Sequence, residues 1–240
     1  MKLTFLGTRG NIKARTQRHR MHTSLLASYY GKNIMIDCGE DWLGNFQNLN
    51  LHAIVITHAH PDHAFGLQDG APCPVYATAE SWEDMQNYPI QKRYNIVPRQ
   101  KIKIAGISFE AFPVDHSTNS PAVGYRISAG RRSFFYVPDV VYILNRSDAL
   151  SGIDLYIGDG ATLIESMVRK PDDELIGHTP VRTQLTWCQK EGVPKMLITH
   201  CGSEIVKGDE RKLGAELRRL AEDRGVEVEI AYDSKEVILR

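Results

Sequence analysis

Residues 54–63, IVITHAHPDH, carry the strongest indication of the fold of this chain. The apolar run Ile54–Thr57 predicts a strand that is buried on both faces. His58 and His60 lie two positions apart, so their side chains point the same way in an extended chain. Pro61 suits the first position of a helix, and an aspartate and a third histidine then occupy its first turn. Four side chains of ligand type thus converge at the end of one strand: His58, His60, Asp62 and His63.

The chemistry of these four side chains indicates a transition metal. Imidazole and carboxylate groups suit zinc, manganese or iron far better than calcium. The chain has nine histidines, and three of them lie within residues 58–63. Because a buried strand leads directly into them, the stretch predicts a metal site rather than a chance group of surface histidines.

Strand-like runs recur along the chain, whereas helices are few. One helix is predicted to begin near residues 179–180, with Thr179 as the N-cap and Pro180 at the first helical position. Another is predicted to begin near Asp209 and to end at Gly225. Each half of the chain has a strand that ends in Thr-His, at residues 57–58 and 199–200. This pattern predicts two layers of strands with helices outside them.

Length and composition favour an ordinary globular protein. The 240 residues are 42% hydrophobic and carry no net charge, which excludes a general electrostatic attraction to nucleic acid or membrane. There is no apolar stretch of membrane-spanning length and no apolar N-terminal run long enough for a signal peptide. The four cysteines form no zinc-binding pattern and predict reduced thiols, so we expect a cytoplasmic protein.

The pattern H-x-H-x-D-H after a buried strand resembles the signature of the metallo-β-lactamase superfamily. Further motifs of that family follow in order: a glycine turn at residues 6–10, an acidic motif at residues 35–39, and later motifs at His116, Asp139 and His200. The resemblance covers essentially the whole chain. It implies an α/β fold, a four-layer αββα sandwich in which helices flank two mixed β-sheets. It also implies a single metallo-β-lactamase-like domain over residues 1–240.

The resemblance further implies two divalent metal ions, zinc or manganese, with nickel or iron as alternatives. The ligands that it implies for the first ion are His58, His60 and His116. For the second ion they are Asp62, His63 and His200. Asp139 would bridge both ions, and Asp37 would orient a ligating histidine. Two metal ions roughly 3.5–4 Å apart can share a hydroxide. Because the pKa of metal-bound water falls to about 7, this nucleophile exists at neutral pH.

One loop favours the branch of the family that contains ribonuclease Z and the PhnP-like phosphodiesterases. Residues 177–180, Gly-His-Thr-Pro, resemble the histidine loop of that branch, where the histidine assists near the phosphate and the leaving group. Asp159 lies where the branch often has an acidic partner. A carboxylate beside His178 would raise its pKa and suit it to general-acid catalysis. The candidate catalytic residues are therefore Asp62, His178 and Asp159.

A basic stretch at residues 9–20 has five lysines and arginines and no acidic residue. Arginine binds phosphate with two parallel hydrogen bonds, so the stretch predicts contacts with a substrate phosphate. The residues expected to make them are Arg9, Arg15, Arg18 and Arg20. A solvated basic loop is the alternative interpretation.

The substrate is expected to be small. Ribonuclease Z enzymes usually carry a long arm that grips tRNA, and the segments at residues 117–138 and 140–177 leave no room for one. A cyclic phosphate, a nucleotide or a short nucleic acid is the favoured substrate, with no membrane partner. Hydrolysis of an ester, thioester or lactam at the same two-metal site is the alternative, and a nucleic-acid-binding module without activity is another. Dimers are common among relatives, so a homodimer stays open, as does the role of Trp82–Arg99.

Overall fold

A computed structural model describes residues 1–170 and 174–240, and within these residues fifteen strands form two mixed β-sheets. The first sheet has the spatial order β15 (Glu236–Ile238), β1 (Lys2–Gly7), β2 (Ser24–Tyr29), β3 (Lys32–Ile36), β4 (Ala53–Val55), β5 (Val75–Ala77), β6 (Arg93–Asn95). The second has the order β11 (Tyr142–Ile143), β8 (Ile107–Asp115), β9 (Ala122–Ala129), β10 (Arg132–Val137), β12 (Leu155–Asp159), β13 (Lys195–Thr199), β14 (Glu227–Ile230). Strand β7 (Lys101–Ile104) also pairs with β8. In the first sheet, neighbouring strands are parallel in the series β3, β4, β5 and β6. In the second sheet, they are parallel in the series β10, β12, β13 and β14. The remaining pairs are antiparallel.

The helices lie outside the two sheets. They are α1 (Pro61–Ala64), α2 (Ala79–Asp84), α3 (Arg146–Leu150), α4 (Val181–Glu191), α5 (Ser203–Lys207) and α6 (Glu210–Glu222). One apolar core joins α3 through α6 to the second sheet, and another joins the segments around α1 and α2 to the first sheet. A third core lies between the sheets. The predicted four-layer αββα sandwich is thus confirmed.

The alternating direction of successive side chains along a strand explains why so many strands are apolar throughout. In β10, Phe134 and Tyr136 pack between the sheets, whereas Phe135 packs under the helices. In β4, Val55 packs between the sheets and Ile54 packs towards α1 and α2. Successive side chains of a strand point to opposite faces, and both faces are covered here. Apolar residues are therefore needed at every position.

The helix boundaries differ from the predictions at one end of each long helix. Helix α4 begins at Val181, because Pro180 is extended (φ −65°, ψ 152°) and is itself the N-cap. The Thr179 hydroxyl donates to the Val141 carbonyl at 2.6 Å instead of capping the helix, so the predicted cap is wrong. Asp209 caps α6 as predicted, whereas this helix ends at Glu222, before Gly225. Among the described residues no helix exceeds the 13 residues of α6, and none has the length and apolar character needed to cross a membrane.

Candidate metal centre

The side chains of ligand type follow strand ends of both sheets. Asp37 and His58 come after β3 and β4, and Asp139 and His200 come after β10 and β13. Among the described residues, ligand atoms gather in three overlapping groups, within each of which the atoms lie within 4.8 Å of one another. Two of these groups are His58, His60, His116, Asp139 and Asp62, His63, Asp139, His200. We call these seven residues the His/Asp cluster. The structure brings together both sets that the resemblance implied, and their roles as ligands stay a prediction.

Three imidazole nitrogens converge in the first group. Nε2 of His58 lies 3.0 Å from Nδ1 of His60, which lies 3.3 Å from Nε2 of His116. Nδ1–H of His116 donates to the Gly177 carbonyl at 3.0 Å, which leaves a lone pair on Nε2. A neutral imidazole donates through only one nitrogen, so converging ring nitrogens cannot all satisfy one another. A cation bound between them would accept all three lone pairs.

In the second group, three buried atoms have no hydrogen-bond partner among the described residues: Nε2 of His63, Oδ1 of Asp139 and Nδ1 of His200. The Asp139 and His200 atoms approach to 2.8 Å without hydrogen-bond geometry. Most buried polar atoms in proteins have partners, and exceptions need an explanation. With imidazole and carboxylate donors on all sides, the His/Asp cluster fits a pair of divalent transition-metal ions.

Charge in the His/Asp cluster is set by burial and by the mixture of imidazoles and carboxylates. Burial, with nearby His63, holds the pKa of His58 well below its ordinary value, so this imidazole is neutral. Burial acts to raise the pKa of Asp139, but His200 and His63 outweigh it and hold that pKa well below the usual range. A neutral imidazole and an ionised carboxylate are the forms that bind a metal. For His63 and His200, nearby carboxylates outweigh burial and raise the pKa, so each of these two rings would release a proton on binding one.

Asp37 is completely buried and holds two neighbours in place. One oxygen accepts the Thr57 N–H at 2.8 Å, and the Thr57 hydroxyl also lies within 3.0 Å. The other oxygen lies 3.0 Å from Nδ1 of His63. This contact directs Nε2 of His63 to the unpartnered position described above. The predicted orienting role of Asp37 therefore has a hydrogen bond to support it.

His178 and Asp159 form a pair beside the His/Asp cluster. Nδ1 of His178 lies 2.8 Å from Oδ2 of Asp159, and the His178 side chain is 20% exposed whereas Asp159 is completely buried. Burial lowers the pKa of His178, but the carboxylates of Asp159 and Asp139 outweigh it and hold this pKa above its ordinary value. Nε2 of His178 has no hydrogen bond to a described residue. The pair also lies within 4.8 Å of ligand atoms of Asp139 and His200, so it could itself contribute to a metal site.

Gly177 links the His178 loop to the first group, and no pattern of residues predicts this link. Its N–H donates to the His116 carbonyl at 2.9 Å, while its own carbonyl accepts from the ring of His116. Gly177 has a φ of +108°, and a Cβ here would lie 2.3 Å from the Met167 carbonyl oxygen. Only glycine fits this position, so the loop depends on it.

The Trp82–Arg99 segment begins within α2 and continues into β6 at an edge of the first sheet, and α2 is linked through Ser120 to the main chain between His58 and His60. The Asp84 carboxylate accepts from the Ser120 hydroxyl at 3.0 Å. That hydroxyl accepts from the N–H of Ala59 at 3.2 Å, between His58 and His60. This chain of hydrogen bonds supports the loop that presents both histidines.

Arg9, the first residue of the basic stretch, has a structural role that its sequence context does not predict. Arg9 is 1% exposed. Its guanidinium donates to the Arg20 and Ile12 carbonyls and to the Asp41 carboxylate. The expectation that Arg9 contacts a substrate phosphate is therefore corrected, because its side chain lies in the interior. Arg9 instead holds the turn whose Gly10 packs on the His200 ring, where an added Cβ would lie 3.0 Å from Cε1.

The other three arginines lie at the surface. Arg15 pairs with Asp41 at 3.0 Å and Arg18 with Glu210 at 2.9 Å, and both are about half exposed. Arg20 is exposed. Arg18 lines a cavity of about 290 Å³ beside α6 and β14, whose described lining includes no member of the His/Asp cluster. A different cavity, of about 490 Å³, is lined by His116, Ser117 and Leu175 and adjoins the cluster.

The chain matches a known protein family and curated relatives. The family model of the beta-lactamase superfamily domain matches residues 32–201. A ribonuclease Z from Methanopyrus kandleri is 28% identical over 142 residues, which cover 52% of this chain and 49% of the relative. The chain thus spans about half the length of the first curated relatives that it matches.

Solved structures resemble the whole chain. The metallo-beta-lactamase fold protein YhfI from Bacillus subtilis superposes with a TM-score of 0.75 at 18% identity, over 98% of both chains. A diphosphatase from the PhnP family superposes with a TM-score of 0.72 at 20% identity, over 98% of this chain and 96% of that one. At such low identity both likenesses establish the fold alone.

Proposed function

Because the chain belongs to the beta-lactamase superfamily, we propose that it is a metal-dependent hydrolase that cleaves phosphodiesters. A cyclic phosphate, a nucleotide or a short nucleic acid is the proposed substrate. The observation that carries the proposal is the His178–Asp159 pair, which offers a partly exposed imidazole beside the His/Asp cluster. The relatives called ribonuclease Z and the PhnP-family diphosphatase support this substrate class.

The proposed cofactor is a pair of divalent ions, zinc or manganese. His58, His60 and His116 would hold one ion, Asp62, His63 and His200 the other, and Asp139 both. When bound, such ions activate water as a nucleophile and stabilise the charge that develops on phosphoryl oxygens. Since both sheets supply ligands, we also propose that residues 1–240 act as one domain.

His178 has the geometry of a proton donor. Asp159 accepts the Nδ1–H of the ring, which fixes its orientation and leaves Nε2 to face a reacting group. In the proposed reaction Nε2–H protonates the oxygen of the leaving alcohol as the P–O bond breaks. General-acid catalysis of this kind contributes about 10²–10⁴-fold. Asp62 acts through its place in the His/Asp cluster, where its Oδ2 lies 3.0 Å from Nε2 of His200.

One observation favours a second candidate, hydrolysis of a carboxylic ester, thioester or lactam. Arg9 is buried, and Arg15 and Arg18 already pair with Asp41 and Glu210. Three of the four arginines that were predicted to contact a phosphate are therefore already paired, and a substrate without a phosphate needs none of them.

The deciding experiment is hydrolysis of bis(p-nitrophenyl) phosphate and of p-nitrophenyl acetate by the full chain. The protein is stripped of metal and then resupplied with zinc, manganese or nickel. We expect metal-dependent release of nitrophenol from the phosphodiester. Activity on the acetate alone, in a protein that binds two ions, would replace the phosphodiesterase proposal with the second candidate.

A further inference from the structure

Gln184 lies on an apolar face of α4, yet its side chain makes four hydrogen bonds. Its side chain is completely buried. The amide nitrogen donates to the carbonyls of Asp159 and Thr179, both at 2.8 Å. The amide oxygen accepts from the N–H of Asp159 and from the hydroxyl of Tyr156, both at 3.0 Å. Two donors and two lone pairs are the full capacity of this side chain, and all are used.

Three of these four bonds reach main-chain atoms of Asp159 and of Thr179, the residue after His178. Gln184 holds both the N–H and the carbonyl of Asp159. It also holds the carbonyl of Thr179, the residue that follows His178. One rigid amide thus joins the end of β12 to the His178 loop. No other described side chain bonds to both backbones.

Other bonds fix the pair less completely. The Asp159 carboxylate accepts from the N–H of Val140 at 3.1 Å and from the N–H of Ala161 at 2.8 Å, which orients its side chain. The N–H of Thr179 donates to the Val140 carbonyl at 2.8 Å. Val140 therefore connects the Asp159 side chain to the Thr179 main chain. Gln184 is the side chain that connects the main chain of Asp159 directly to that of Thr179.

We infer that Gln184 is a positioning residue, which sets the His178–Asp159 geometry and so the direction in which His178 offers its Nε2 proton. This inference rests on the proposed function. A misplacement of about 1 Å, caused by a change away from the reacting atoms, can lower a rate about 10²-fold. An apolar residue of similar size would fill the space under α4 and lose the link.

The leaving group makes the inference testable. Nitrophenolate is stable as an anion at neutral pH and needs little protonation, whereas the ribose alkoxide of a 2′,3′-cyclic nucleotide needs a proton donor. In the metal-loaded Gln184→Met variant we expect turnover of the cyclic nucleotide to fall about 10–100-fold. Turnover of bis(p-nitrophenyl) phosphate should change little, and metal content should stay at the wild-type level. Equal losses on both substrates would overturn the inference, because a structural defect lowers both.

A second measurement does not depend on activity. The Nδ1–H of His178, bonded to Asp159, should give a low-field proton resonance in the metal-loaded protein, and His178→Ala assigns it by its loss. We expect this resonance to move or disappear in Gln184→Met and to stay in Gln189→Met, a control on the same helix whose exposed amide contacts the Asp223 carbonyl. Tyr156→Phe removes one of the four bonds and should move the resonance less, which covers the case in which Gln184→Met does not fold. An unchanged resonance in both variants would overturn the inference, even if the wild type cleaves no phosphodiester.

Discussion

The two strand ends that share the letters Thr-His are built alike but used differently. In each case the neighbouring strand of the sheet ends at or beside a completely buried aspartate. Asp37 follows β3, the neighbour of β4, and Asp159 ends β12, the neighbour of β13. In the first half, Asp37 binds Thr57 and the fully buried His63. In the second half, Asp159 binds main-chain N–H groups and His178, which solvent reaches.

The exposure of the bound histidine decides what each aspartate can do. An aspartate bonded to a buried ligand-type histidine can only hold that ring in place. An aspartate bonded to a partly exposed histidine holds a ring that a substrate can touch. The first half therefore suits the fixing of ions, and the second half also suits the delivery of a proton.

The largest effect should come from the two histidines that these aspartates hold. His178→Ala is expected to lower turnover of a 2′,3′-cyclic nucleotide about 10²–10⁴-fold while metal content stays intact, since a general acid is lost. His63→Ala should instead release metal. Metal analysis and turnover, measured on both variants, test the contrast. Loss of metal from His178→Ala would make His178 a ligand, together with Asp139, Asp159 and His200.

A smaller effect should separate the two aspartates. Asp37→Asn is expected to weaken metal affinity about 10–100-fold, because the partner that orients His63 is altered. Turnover should recover when excess metal is supplied. Asp159→Asn should keep its affinity and lose turnover that excess metal cannot restore. Competition with a chromogenic chelator measures the affinities, and equal weakening in both variants would contradict the division between the halves.

The smallest effect concerns stability and compares the two threonines. The Thr57 hydroxyl bonds to Asp37, so Thr57→Val should lower the free energy of unfolding by about 1–3 kcal/mol. The Thr199 hydroxyl is buried without a partner among the described residues, so Thr199→Val should leave stability unchanged or raise it. Urea unfolding of the metal-free proteins gives both values. A comparable loss in Thr199→Val would mean that this hydroxyl has a partner in solution.

Local patterns carried most of what the sequence could predict. The spacing of His58 and His60 and the helix start at Pro61 follow from strand and helix periodicity alone. The distant members of the His/Asp cluster, His116, Asp139 and His200, are predicted only by the order of family motifs. No property of the intervening residues places them beside the first four.

Partners brought together by folding explain where the predictions were wrong. The basic stretch has no acidic neighbour in sequence, yet Arg9 finds Asp41 at a separation of 32 residues. Gln184 did leave a signal, since it is an amide on the apolar face formed by Val181, Leu185 and Cys188. Its partners, however, are mostly main-chain atoms, which leave no mark in a sequence. An amide on an apolar helix face therefore predicts buried hydrogen bonds, but it does not predict which main-chain segments they join.

Four of the seven clustered side chains lie within residues 58–63, and their closeness along the chain survives the loss of the fold. With the proposed ligand roles, the denatured chain would carry a chelating peptide of its own and would compete with the native state for ions. Since a ligand stabilises a protein only by its preference for the native form, mass action makes the metal-induced rise in Tm smaller than the native affinity alone implies. The same peptide can capture an ion early in refolding, before His116, Asp139 and His200 arrive to complete the site.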